Sequence, residues 1–160
     1  MNIQDYKRTL AQIISLAEAQ KFGSACKMIE ELLDRGVISA ELLVHRGRFI
    51  QLLNEDDVTL HPHLTLETVL DDFKMAQELA PDSITPLIEE GYFEYAVQDN
   101  SNLALNTFIR AEALARSYLL SSIIGQVKCY QDLELFHKAQ EKIDELKELF
   151  PNDPELEIYQ

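Results

Sequence analysis

Two histidines separated by a proline, His61 and His63, follow the carboxylates Glu55, Asp56 and Asp57, and imidazoles beside carboxylates are the side chains that hold divalent metals. Structural zinc sites supply four fixed ligands, however, whereas NEDDVTLHPHLT reads as an inserted loop. A solvated polar loop is therefore the expectation, with no metal and no other cofactor. A loop of this length in a compact chain also reads as a surface for contacting a partner. Thiol chemistry has no better footing, because Cys26 and Cys129 lack C-x-x-C spacing and an electropositive setting with a positioned base. His45 and His137 fall beside apolar positions of a helical pattern, where packed structural histidines lie. The pairs Asp71–Asp72 and Glu89–Glu90 are adjacent in sequence, so on a helix their side chains diverge by about 100° and do not converge on a substrate. The sequence has no Gly-rich phosphate loop, no G-x-S-x-G elbow and no H-E-x-x-H helix. A metal- or thiol-dependent enzyme is thus the least supported class, and a non-enzymatic protein is expected.

The elements that would position these residues are helices throughout. Apolar residues recur three and four apart over segments 3–20, 23–35, 39–53, 65–80, 84–98, 102–116, 119–131 and 137–150, with almost no alternation at period two. Every second helix repeats one pattern. Ala25, Val69, Ala104 and Ala139 are followed four residues later by Ile29, Phe73, Phe108 and Ile143, and three residues further by Leu32, Ala76, Ala111 and Leu146. Five residues beyond the last of these stand Val37, Pro81, Arg116 and Pro151, and a proline there ends a helix. The alternate helices contribute Gly47, Gly91 and Gly125, each a place for close helix approach at about 1 kcal/mol of intrinsic helix cost.

A small residue, a large apolar residue, then Ala and Pro, at a period near 34, resembles the tetratricopeptide repeat. The second unit carries the resemblance in Gly47, Phe73, Ala76, Leu79 and Pro81, and the fourth in Phe136, Ala139, Ile143, Leu149 and Pro151. The implied fold is all-α, a right-handed superhelical stack of about four antiparallel helix pairs. Its units would be 3–37, 39–82, 84–117 and 119–151 in one domain, residues 1–160. The chain departs from the family pattern at three places. Gly47 and Phe73 stand 26 residues apart, so a loop must separate the paired helices of unit two; Arg116 replaces a proline; and aliphatics hold the family's large aromatic position. Helix 137–150 has one apolar stripe and a charged remainder, the mark of a capping helix, whereas 102–116 is apolar around most of its circumference and reads as interior. Asp153 before Pro154 reads as the N-cap and first residue of one more helical turn.

In the resembled family the first helix of each pair lines the ligand groove, which implies a partner-binding face. Counting from each glycine gives Val44, Arg48 and Gln51; Ile88, Tyr92 and Tyr95; and Ser122, Gln126 and Cys129. Counting back from Phe108 instead turns Glu89, Phe93 and Ala96 inward and sends Tyr92 and Tyr95 to the core. Charge narrows the partner class. A net charge of −14 argues against nucleic acid and anionic membranes, which require clustered cations. Residues 49–109 hold twelve acidic side chains and one basic one, a field that steers basic partners and also keeps a protein soluble. The expected function is an adaptor or chaperone-like module that cradles a peptide or helix segment of another protein, with a homodimer also possible. The alternative is an acidic inhibitor or immunity-type protein that blocks a basic partner. No run approaches the roughly 20 apolar residues of a membrane span, the N-terminus does not read as a signal peptide, and two unpaired cysteines point to a reducing cytoplasm.

Overall fold

In a computed structural model, which describes residues 2–159 and side chains as far as Leu156, every regular element is helical. The helices are α1 (Ile3–Glu18), α2 (Phe22–Asp34), α3 (Ala40–Ile50), α4 (Glu55–Leu60), α5 (Leu66–Leu79), α6 (Ile84–Ala96), α7 (Ser101–Asp132) and α8 (Phe136–Leu149). A 3-10 stretch, Pro154–Tyr159, follows. Asp153 caps it as expected, its carboxylate accepting from the Glu155 N–H at 3.0 Å.

The repeated positions are the core. Ala25, Ile29, Leu32, Val69, Phe73, Ala76, Ala104, Ala111, Ala139, Ile143 and Leu146 are all buried, and Phe108 is half-buried. Burial of these faces supplies the main driving force, at roughly 1.5–3 kcal/mol for each fully buried large side chain. The glycines act by absence. A Cβ on Gly47 would stand 2.6 Å from a Phe73 ring carbon, and one on Gly91 would stand 2.8 Å from a Phe108 ring carbon, so both aromatic rings lie flush on a helix backbone. Nothing lies within 4 Å of the corresponding point on Gly125, which therefore does not mediate the close approach its spacing implied.

Helix ends follow local chemistry. Ser39 and Thr65 cap α3 and α5 with their hydroxyls, and α5 and α8 stop just before Pro81 and Pro151. α1, α2 and α7 close with paired 6→1 and 5→2 backbone bonds, as in Val37 N–H to Leu32 O and Gly36 N–H to Leu33 O. Gly36 takes the left-handed position in α2, whereas Gln20 and Glu134 hold it in α1 and α7 at φ 58°.

Two expectations need correction. The insert is not a plain loop, because Asn54 accepts from the Asp57 N–H at 2.8 Å and starts the six-residue α4, which packs on α2 with Asp57 against Gly23. Helices 102–116 and 119–131 are one continuous helix, α7, of 32 residues. The reason is local: Arg116 stands where a proline would stop the chain, and Ser117, Tyr118 and Leu119 all keep their N–H groups and tolerate helical geometry.

Packing divides the chain into two compact units, residues 1–109 and 110–160, and no linker announces the division because it falls inside α7. The first unit is centred on Ile13, Ile29, Leu42, Leu43, Phe73 and Phe93. In it Arg46 of α3 donates two hydrogen bonds, of 2.8 and 2.6 Å, to Asp72 of α5, a carboxylate only 2% exposed. The second unit has its own core of Leu120, Ile123, Val127, Ile143, Leu146 and Phe150, closed by Leu156. There Arg116 donates to the Leu149 carbonyl at 2.6 Å and stacks over the Phe150 ring at 4.9 Å.

Candidate functional site

α6 shows three different faces. Phe93, 1% exposed, points into the core and meets Phe73 edge-on, with ring centroids 6.4 Å apart. Glu90 and Glu94 are also buried, and Glu90 accepts from the Gln77 amide of α5. A second face meets α3, where Glu89 accepts from Arg48 at 2.6 Å and that hydrogen bond raises the guanidinium pKa further. Beside this pair a cleft of about 420 Å³ opens between α3 and α6, lined by Glu41, Val44, His45, Arg48, Ser83 and Thr85 among others. His45 stacks on Phe49 at 5.6 Å; burial, and then the Arg48 charge, lower its pKa below the ordinary imidazole value.

The third face is apolar and open. Tyr92 is 60% exposed and Tyr95 58%, and with Ser101, Ala104, Leu105 and Phe108 of α7 they line a shallow groove of about 560 Å³. Gly91 makes this groove, because its missing side chain lets Phe108 settle on the α6 backbone, where Tyr92 meets the Phe108 ring edge-on at 5.1 Å. Leu105 is 58% exposed and Ile109, one turn further along α7, is exposed too. Tyr92, Tyr95, Leu105 and Ile109 thus form an exposed apolar stripe on a chain that carries 26% charged residues.

The residues singled out from the sequence are thus distributed over several environments. Val44 and Phe93 belong to the core, although Val44 also reaches the α3–α6 cleft. Arg48 and Glu89 are brought together as an ion pair, and Gln51 donates its amide to the Gly47 carbonyl at 3.0 Å. Tyr92 and Tyr95 share one open face while Phe93 is buried, so the two tyrosines do not lie in the core where the count from Phe108 puts them. Gln126 and Cys129 are exposed on the unit of residues 110–160. Sequence reasoning missed Ser101, Leu105 and Ile109 as surface. Their helix was read as interior from its all-round apolarity, and the signal that it had more apolar faces than one neighbour could cover was already present.

The loop histidines meet a different partner from the one their neighbours in sequence implied. His63 Nε2 lies 2.6 Å from Glu30 Oε1 of α2, and a ring nitrogen of His61 lies within 4.8 Å of both ligand atoms. Cys26 is buried, and burial followed by the Glu30 charge pushes its thiol up to about 12, so it is an inert packing residue. Among the described residues no helix is long and apolar enough to cross a membrane. Comparison with models of known protein families, with curated proteins and with solved structures found no match.

Proposed function

We infer that this chain is a non-enzymatic protein-interaction module, adaptor- or chaperone-like in mode, that holds an apolar segment of a partner protein in the groove of Tyr92, Tyr95, Leu105 and Phe108. The observation that carries this reading is the groove itself, a concave apolar surface built from rigid helices and lined with exposed tyrosines, the side chains that most often anchor interfaces. Charge specifies the occupant. Of the six carboxylates in residues 75–109, Glu90 and Glu94 are buried and Glu89 is paired with Arg48, which leaves Glu78, Asp82 and Asp99 as exposed charges, so the matching segment carries apolar anchors with a basic side chain beside them. The 35-residue step from Val69 to Ala104 and the close contacts at Gly47 and Gly91 support tetratricopeptide-like packing of helix pairs within residues 1–109, the kind of packing that the resemblance implies. The free thiols Cys26 and Cys129 fit a cytoplasmic home.

Selection from a displayed library of random peptides tests the reading. Peptides enriched on the wild-type chain should share aromatic or leucine anchors on one helical face with Lys or Arg at the flanks, and the double variant Tyr92→Ser/Tyr95→Ser should enrich none of them. Failure to enrich any family of peptides on the wild type would refute the reading. Peptides chosen for positive charge alone, released by high salt and indifferent to the double variant, would instead support an acidic inhibitor of a basic partner. Concentration-dependent sedimentation lost in the double variant would mark a second copy of this chain as the occupant.

A further inference from the structure

We propose that Glu30, His61 and His63 form a binding site for a zinc-class divalent cation that fastens the inserted segment to α2. The ligand atoms of these three side chains all lie within 4.8 Å of one another, and His63 Nε2 and Glu30 Oε1 are only 2.6 Å apart. Zinc binds imidazole nitrogen and carboxylate oxygen at about 2.0–2.2 Å, so two ligands on one tetrahedral ion stand about 3.3 Å apart. The observed spread brackets that value. Rotation of the exposed His63 ring and the half-buried His61 ring would adjust these spacings, with the ion replacing the hydrogen that His63 and Glu30 share. Two nitrogens and one oxygen, with water in the fourth tetrahedral position, select zinc, cobalt or nickel over calcium and magnesium, which take oxygen ligands.

The turn that carries both histidines is fixed on several sides. Leu64 N–H donates to His61 O at 3.0 Å, closing a four-residue turn with Pro62 at its second position, where proline sets φ in advance. His61 N–H donates to Asp57 O at 2.9 Å, and the Thr68 hydroxyl donates to His63 O at 3.1 Å. Buried Leu64 anchors the following residue in the core. The third ligand stands on α2, whose helix is buried along Ala25, Cys26 and Ile29. Loop and helix therefore present their ligands from supports that are already ordered, and α4 adds Glu55, Asp56 and Asp57 to the local negative field. The site is independent of the apolar groove and of the function assigned to it.

Four histidines make the test direct. Protein stripped with a chelator is titrated with zinc chloride, and its imidazole resonances are followed by long-range nitrogen–proton spectroscopy. One equivalent of zinc should move the signals of His61 and His63 and leave those of His45 and His137 in place. By calorimetry, His61→Asn, His63→Asn and Glu30→Gln should each weaken binding at least about tenfold, the lower end of what losing even an outer-shell partner costs. His137→Asn, which removes an exposed imidazole 3.3 Å from Glu141, should not. The wild-type spectrum alone decides the matter if a variant fails to fold. Zinc that leaves His61 and His63 unmoved, or that binds equally well after His61→Asn, overturns the proposal.

Discussion

Phe73 occupies the space that Gly47 leaves open, and the two positions fail in opposite ways when changed. Phe73→Ala empties a fully buried site and should cost about 3–5 kcal/mol. Gly47→Ala pushes a methyl group to 2.6 Å from the same ring and should cost about 1–3 kcal/mol through overpacking. Both losses are read as midpoint shifts in urea unfolding followed by circular dichroism. The Arg46–Asp72 pair behaves differently because its members are charged. Burial raises the Asp72 pKa despite the guanidinium beside it, so the fork of two hydrogen bonds only partly offsets desolvation. Asp72→Ala leaves Arg46 without its counter-charge and should cost about 3–5 kcal/mol in the same assay. His45 adds a pH dependence with a definite sign. Its folded pKa lies below the ordinary 6.5, so below pH 6.5 the unfolded chain takes up the proton more readily and stability falls as pH drops. Thermal melting from pH 7.5 to 5.5 should show that decline, and His45→Gln should flatten part of it; an unchanged slope would remove His45 as its source. At this scale the sequence disclosed the core positions and the close contacts at Gly47 and Gly91, which follow from spacing, whereas Gly125 shares the spacing and has no neighbour there. It could not disclose Glu30 as the partner of His63, because 33 residues separate them and only the packing of the insert on α2 joins them.

α7 is the element where spacing and structure part. The repeat places a helix end at Arg116, yet nothing there stops a helix, and the side chain instead binds the Leu149 carbonyl and the Phe150 ring. Arg116→Pro would restore the repeat's stop, remove a helical N–H and delete those contacts, and it should cost about 3 kcal/mol or more. Hydrogen exchange at amides 112–120 should rise sharply in that variant; unchanged protection would mean that α7 is already broken in solution. Helix ends offer the opposite opportunity. Glu134 holds a left-handed backbone that disfavours side chains by about 1–2 kcal/mol, against about 0.5–1 kcal/mol of entropy that glycine loses on folding. Glu134→Gly should therefore raise the melting temperature slightly, by about 0.5–1 kcal/mol of stability. Period and polarity made the α-helical class legible throughout, along with the proline stops after α5 and α8. What they could not convey was continuity, because a proline's absence carries less information than its presence. The two turns of α4 were hidden for a related reason, since its residues are polar and none is buried, so no periodic face marks it.

On the scale of the molecule, a chain of net charge −14 concentrates its acidity in residues 49–109 and opens its apolar groove within that same stretch. In the proposed function, acidic surroundings would discourage association between copies and favour a basic segment, and the groove would supply the desolvated anchor for it. The whole reading therefore depends on Tyr92 and Tyr95 acting as binding side chains and not as idle surface. Both are well exposed, so Tyr92→Ala and Tyr95→Ala should leave the melting temperature nearly unchanged, apart from the edge-on contact of Tyr92 with Phe108. The decisive measurement is calorimetric titration of a library-selected peptide into the wild type and each tyrosine variant, with folding verified by circular dichroism. One-to-one binding is expected, weakened by about 2 kcal/mol, about thirtyfold in Kd, on removal of either ring. Equal affinity of the wild type and both folded variants would contradict it.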